Sequence, residues 1–287
     1  MDLSLGEKYF DKMTEGELLE NYGLITKYPY GNLTLKEVSA VYFKHFPILP
    51  QLAYTNPTNN DKQTFFRANR WSSLPLKIHL VSYPDPKRGI KVNRGRANFE
   101  DQPVLYGCTQ SNAALKEINV KAGEIIIIGK WKMKLSQLQA GFLAINLKAT
   151  EKRFTDLRDY IINAFSKRDS NIPDRKRKIL LLIWSKLYLA KYYDISAFIS
   201  WMGLYSPVRK WNYIVYPSVA NELNTVNYAI HPEIINNNIA YPIMFEAIKI
   251  NEINWPNIDA RIFAVGFPYC EDIKWSTDMK DLKKFKL

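Results

Sequence analysis

The chain runs through two rhythms of apolar and polar positions. Near the N-terminus the rhythm is helical. Thr14 and Glu17, then Thr34 and Glu37, stand at capping-box spacing ahead of apolar-periodic stretches. In that arrangement the threonine hydroxyl and the glutamate carboxylate satisfy N–H groups that a first helical turn leaves unpaired. The pattern predicts helices over about 14–22 and 34–46. Pro47, Pro50 and Pro57, with Asn56, Asn59 and Asn60, then read as a linker.

From about 64 to 132 the rhythm is that of strands. Thr64-Phe65-Phe66-Arg67-Ala68, Leu76 to Tyr83 and Val104-Leu105-Tyr106 read as strands, and Glu124 to Ile128 suits a fully buried one. Gly95 and Asn98 mark a turn, because both residue types tolerate backbone conformations that others avoid. Ser111 or Asn112 can cap a helix opening at Ala113, with Glu117 about one turn into it. Pro84 to Gly89 is a basic, turn-rich loop, open to a solvated or a phosphate-facing reading. Residues from about 134 to 205 read as mostly helical, and Arg175-Lys176-Arg177-Lys178 precedes an apolar helix. The stretch Ile179 to Tyr205 is interrupted by Lys186, Lys191 and Asp194, too charged for a bilayer span. Strands return at Tyr213 to Tyr216, at Tyr228 to Ile230 and at Arg261 to Val265. Strands, then helices, then strands argue an α+β fold rather than a doubly wound sheet.

Charge adds a constraint. Over 287 residues the net charge is +12 and the pI about 9.4, which suits an anionic partner: a nucleotide, a nucleic acid or an acidic protein. Hydrophobic residues make up 47%, enough for a sizeable core in one large domain or in one domain with a smaller module. Cys108 and Cys270 supply neither a disulfide framework nor a zinc spacing, and His45, His79 and His231 are scattered, so no metal is expected. No basic start precedes an apolar core, so no secretory signal is read and a reduced, cytoplasmic protein is the expectation.

The candidate chemistry lies in Gly95-Arg96-Ala97-Asn98, Val104-Leu105-Tyr106 and Ala113-Ala114-Leu115-Lys116-Glu117, where Arg96, Tyr106 and Glu117 follow at intervals of ten and eleven residues. By themselves the three also fit a half-buried tyrosine with two surface charges. Joined with Thr64-Phe65-Phe66-Arg67-Ala68 upstream, and with Trp211 to Val219 and Asn227-Tyr228-Ala229-Ile230 downstream, they resemble the RES domain family. Its hallmarks are an aromatic-Arg opening, a Gly-Arg-x-Asn turn, a Leu-Tyr strand end, an Ala-Leu-x-Glu helix and a late Pro-Ser. The resemblance covers roughly Phe65 to His231, with a divergent middle between about Thr150 and Lys210. The turn departs from the pattern, lacking the family's usual aromatic after Arg96 and proline after Asn98.

The resemblance implies an ADP-ribosyltransferase-like mixed β core flanked by helices. It divides the chain into an N-terminal helical extension (1–60), an NAD-binding catalytic domain (61–235) and a C-terminal extension packed on it (236–287). It also implies cleavage of the nicotinamide–ribose bond of NAD by a toxin or effector that depletes cellular NAD. NAD enters as substrate, without a metal, and water or phosphate accepts the ADP-ribosyl group. In these roles Glu117 stabilises the oxocarbenium-like state and holds a ribose hydroxyl, and Tyr106 stacks on nicotinamide. Arg96 or Arg67 grips the pyrophosphate, and Ser218 offers a hydroxyl to ribose or amide. A separate antitoxin is the implied protein partner, a homo-oligomer stays open, membrane is excluded and nucleic acid is disfavoured. Two other readings stay open: a protein ADP-ribosyltransferase using the same NAD site, and a non-catalytic basic module binding nucleic acid or another protein.

Overall fold

The computed structural model describes residues 12–47, 53–55, 62–135, 138–142, 174–207, 211–278 and 280. In chain order its elements begin with α1 (Glu15–Thr26), α2 (Leu35–His45), β1 (Ala53–Thr55), β2 (Lys62–Arg70), β3 (Leu105–Cys108), α3 (Ser111–Glu117), β4 (Ile125–Lys134) and β5 (Gln139–Phe142). They continue with α4 (Asp174–Tyr188), α5 (Tyr193–Leu204), β6 (Tyr213–Pro217), β7 (Val226–Ile230), α6 (Pro232–Asn236), β8 (Ala240–Asn254), β9 (Asn257–Tyr269) and β10 (Asp272–Ser276). This is a mixed α+β protein with mostly antiparallel strand pairing. Among the described residues no helix is long and apolar enough to cross a membrane.

Two compact units interleave in sequence. The first gathers Met1–Tyr54, Asn93–Gln102 and Gln139–Pro217; the second gathers Thr55–Val92, Pro103–Leu138 and Ser218–Leu287.

The first unit is mainly helical. Both capping boxes form: Thr14 and Thr34 accept from the N–H of Glu17 and Glu37, and each glutamate carboxylate accepts from the threonine N–H in return. Helices α1, α2, α4 and α5 bury Leu18, Tyr42, Trp184, Tyr188 and Phe198 between them. Tyr42 and Phe43 both meet the Phe198 ring. Buried Asp194 accepts from the Leu33 N–H at 2.9 Å and from Arg94 at 2.5 Å, while Arg94 also reaches Glu100 at 2.8 Å. β5 pairs with β6 in parallel, and a side chain at Gly141 or Gly203 would run into the Trp211 indole.

The second unit is a run of antiparallel strands in the order β7-β3-β2-β4-β8-β9-β10. Successive side chains of a strand point to opposite faces, so the registers assign faces. Phe66 pairs with Cys108, and Cys108 with Asn227, which places these three on one face together with Tyr106 and Ala68. On that face α3 lays Ala113, Ala114 and Leu115 over Ala68, Cys108, Ile126, Ile128, Ile248 and Ile250. Phe65, Arg67 and Trp131 belong to the other face, where Phe65 stacks on Trp131 at 6.1 Å and meets Tyr228 at 6.0 Å.

The structure corrects several expected bounds. Leu76 to Tyr83 is not a strand: Ile78–Leu80 is a 3-10 turn, and the segment bonds the β9–β10 turn through the Ile78 N–H to the Glu271 carbonyl at 2.9 Å. Helix α3 opens at Ser111 rather than Ala113, and Glu117 is its last residue rather than one turn in. Within the stretch read as helical, β4 continues to Lys134 and β5 follows; 143–173 lie outside the described residues, as does much of the expected linker. Arg261 to Val265 is the middle of a longer strand, half of a hairpin with β8 that the pattern did not disclose.

Candidate functional site

Helix α3 is short, and its last residue is an acid. A carboxylate at a helix C-terminus opposes the helix dipole, so Glu117 does nothing for the helix that holds it. The end of α3 is fixed by other means. Arg70 donates Nη2 to the carbonyls of Ile118 and Asn119 while its Nε binds Glu124 at 2.9 Å, tying the helix end to β2. The Glu117 carboxylate is then caught from the direction of β7. Ser218 Oγ donates to Glu117 Oε1 at 2.5 Å, and Asn227 Nδ2 donates to the same oxygen at 2.7 Å.

Both donors are themselves locked. Ser218 is fully buried, donates its N–H to the Thr225 carbonyl at 2.8 Å, and accepts at Oγ from the Asn221 N–H at 3.1 Å. With one lone pair taken by Asn221, its single proton is committed to Glu117. Asn227 is also buried, and its Oδ1 accepts from the Cys108 thiol at 3.0 Å. That contact assigns the amide, oxygen toward sulfur and nitrogen toward carboxylate. Burial, and after it the Glu117 charge, pushes the Cys108 thiol up; the Arg67 charge works the other way. Cys108 is therefore an inert thiol rather than a nucleophile.

Glu117 itself is exposed, and among the described residues Oε2 has no hydrogen bond and no cation pairs with the carboxylate. The result is an oriented carboxylate with one occupied oxygen, one open oxygen and an unneutralised charge. Such a group can accept a hydroxyl proton and stabilise a developing cation.

The chain matches no family model, no curated protein and no solved structure.

The structure brings Glu117 and Ser218 together and sets Tyr106, half-buried, on the α3 face of the same sheet. Arg67 is placed differently. The pleat turns it to the opposite face, where Nη1 donates to the Tyr106 carbonyl at 3.1 Å and Nε is sealed from solvent without a partner. Burial lowers its guanidinium to about 10, with the Tyr106 and Cys108 side chains acting against that shift. Arg96 belongs to the first unit. It forms the expected turn, in which the Gly95 N–H reaches the Asn98 carbonyl at 3.1 Å. Its Nη1 donates to the carbonyls of Tyr188 and Ala190, and its guanidinium lies 5.1 Å from the Tyr193 ring. Arg96 thus satisfies the end of α4.

Asn227 opens a stretch that carries the resemblance, but the sequence pattern gives it no role in the site. Its signal is a polar amide in the otherwise apolar strand Val226-Asn227-Tyr228-Ala229-Ile230, all of it buried. A buried amide needs partners, and here they are the thiol and the carboxylate. Among the described residues no group of three or more His, Cys, Asp or Glu could hold a metal.

Proposed function

We propose that the chain cleaves the nicotinamide–ribose bond of NAD, with Glu117 as the residue that stabilises the reacting ribose. The observation that carries this reading is the exposed Glu117 carboxylate, oriented by two neutral donors and paired with no cation among the described residues.

In the reaction the C1′–N bond breaks with its electron pair going to nicotinamide, which leaves neutral, while positive charge spreads over C1′ and the ring oxygen. Glu117 Oε2 accepts from a ribose hydroxyl, and the carboxylate faces the developing charge. Water or phosphate then bonds C1′ and loses its proton to solvent. Ser218, whose proton already goes to Glu117, acts as a positioning residue. Tyr106 offers its ring to nicotinamide. No pyrophosphate donor is assigned, since Arg67 faces the other side of the sheet and Arg96 is bound to the end of α4. The ADP-ribosyltransferase-like arrangement that the RES resemblance implies belongs to this proposal too. So do the toxin or effector role and restraint by an antitoxin.

The test is to incubate purified protein with NAD and identify every product. Free nicotinamide with ADP-ribose names water as the acceptor, and nicotinamide with the phosphorylated form names phosphate. Nicotinamide with labelled protein names a protein ADP-ribosyltransferase. Release that persists undiminished in Glu117→Ala overturns the assignment of Glu117. No release, with phosphate and cell extract present, overturns the reading.

A further inference from the structure

Elsewhere in the second unit lies a cavity of about 460 Å³ that shares no residue with the Glu117 site. The volume is in the range of small-molecule pockets, about 300–1,000 Å³. Its walls come from the 78–88 segment, from α6 and the residues after it, from the start of β8 and from the β9–β10 turn.

Those walls are tied to one another. Tyr83 donates its hydroxyl to Asn236 Oδ1 at 2.7 Å, joining the 78–88 segment to α6. The Ile78 N–H reaches the Glu271 carbonyl at 2.9 Å, and Lys77 pairs with Asp272 at 2.6 Å, joining the same segment to the β9–β10 turn. The Asn69 amide holds the Val81 carbonyl at 3.2 Å, anchoring the segment to β2. A cavity closed by such links is largely formed before anything enters it, which lowers the ordering cost of binding.

The lining also selects. Its cations are Arg88 and Lys134 and its anions Asp85 and Glu271, and Arg88 already pairs with Asp85 at 3.4 Å. The formal charges of the lining balance, so the lining residues themselves do not select an anion. His79 is neutral at pH 7, since burial and then Arg88 lower its imidazole below the ordinary value. A neutral imidazole offers one donor and one acceptor. Among the described residues the Asn236 amide nitrogen and the Asn238 side chain form no hydrogen bond. The Ser82 hydroxyl in the wall is buried and unpartnered. Tyr83 and Tyr241 contribute aromatic surface, with the fully buried Trp131 behind them.

We infer that this cavity is a second small-molecule site, one that takes an uncharged heteroaromatic ligand of nucleobase or pyridine-carboxamide type. The ligand's ring packs among the aromatic side chains, and its polar edge is read by His79, Asn236 and Asn238. The inference does not depend on the reaction assigned to Glu117.

Cys270 lines the cavity and is exposed, whereas Cys108 is buried, so alkylation by a maleimide reports on one thiol. The experiment follows the rate of Cys270 alkylation by mass spectrometry with adenosine, nicotinamide or AMP present. Adenosine or nicotinamide is expected to slow alkylation saturably, and AMP to protect no better than adenosine. Asn236→Leu and Tyr241→Ala alter different walls, and each is expected to raise the protecting concentration about tenfold. Glu117→Gln is expected to leave protection unchanged. The inference is overturned if neither neutral probe protects, if both wall variants protect like wild type, or if Glu117→Gln abolishes protection.

Discussion

Changing Asn227 to aspartate alters almost nothing in shape and reverses the sign of one contact. The amide nitrogen lies 2.7 Å from Glu117 Oε1, and the substitution puts an oxygen there. A hydrogen bond to a charged acceptor, contributing about 1.5–3 kcal/mol, becomes a repulsion between two carboxylates. At that distance two unit charges repel by about 1.5 kcal/mol at the dielectric of water and about 6 kcal/mol at the value usual near a protein surface. Because Glu117 is exposed it can swing aside, so the lower half of that range applies: a net cost of about 2–4 kcal/mol near neutral pH. Asn227→Ala removes the bond without adding a charge and should cost less, about 1.5 kcal/mol.

The comparison has a sign in pH. In the folded aspartate variant the pair relieves its repulsion by sharing a proton, so the introduced carboxyl holds its proton above the usual range. The unfolded chain has lost that proton at the same pH. Folded molecules then bind more protons than unfolded ones, and stability falls as pH rises through this window. Urea denaturation at pH 5 and pH 8 measures it. The penalty of Asn227→Asp relative to Asn227→Ala should grow toward pH 8. A penalty for the aspartate that is flat in pH, or smaller than that of alanine at pH 8, refutes the contact.

Four further outcomes follow from the packing. Gly107→Ala drives a Cβ to 2.4 Å from the Phe65 ring, which Trp131 and Tyr228 hem in; it should cost about 1–3 kcal/mol by thermal denaturation, and a neutral result refutes the close approach. Thr34→Ala removes the capping-box hydroxyl of α2 and should cost about 1 kcal/mol in urea, with Thr34→Ser retaining most of the stability. Asp194→Ala leaves the largely buried Arg94 with only the more exposed Glu100, and should cost about 3 kcal/mol; an effect below a few tenths sinks the buried ion pair. Burial raises the Glu246 carboxyl above its ordinary value of 4.5, opposed by the Lys130 charge. Its contribution therefore falls as pH rises through that window, and Glu246→Gln should flatten this part of the pH–stability curve.

What the sequence disclosed was mostly local. A capping box is complete within four residues, so Thr14-to-Glu17 and Thr34-to-Glu37 announced α1 and α2 without tertiary information. The isoleucine run foretold a buried strand because such a run has few other places to go, and Ile126, Ile127 and Ile128 are buried. Leu76 to Tyr83 deceived, because its partner is a turn nearly two hundred residues away, and eight residues of loose alternation do not distinguish a strand from a pinned loop. The β8–β9 hairpin stayed hidden in a stretch where Pro242, Pro256 and Pro268 interrupt the strand pattern, although they lie within or between two long paired strands. For the site, residue types and order nominated Glu117 and Ser218, yet nothing local could place a serine 101 residues away against that carboxylate. Asn227 escaped because its importance comes from being polar where both neighbours in the strand are buried and apolar.

The central claim concerns one carboxylate, and the direct measurement is the rate of nicotinamide release from NAD by the wild type, Glu117→Gln and Ser218→Ala. Glu117→Gln keeps the shape and removes the charge that faces the oxocarbenium-like state, so kcat should fall by about 10²–10³. Ser218→Ala leaves the charge but loosens its orientation, and should lose about tenfold. Both should stay folded by circular dichroism. A wild type that releases nicotinamide and a Glu117→Gln variant that releases it equally fast would contradict the account.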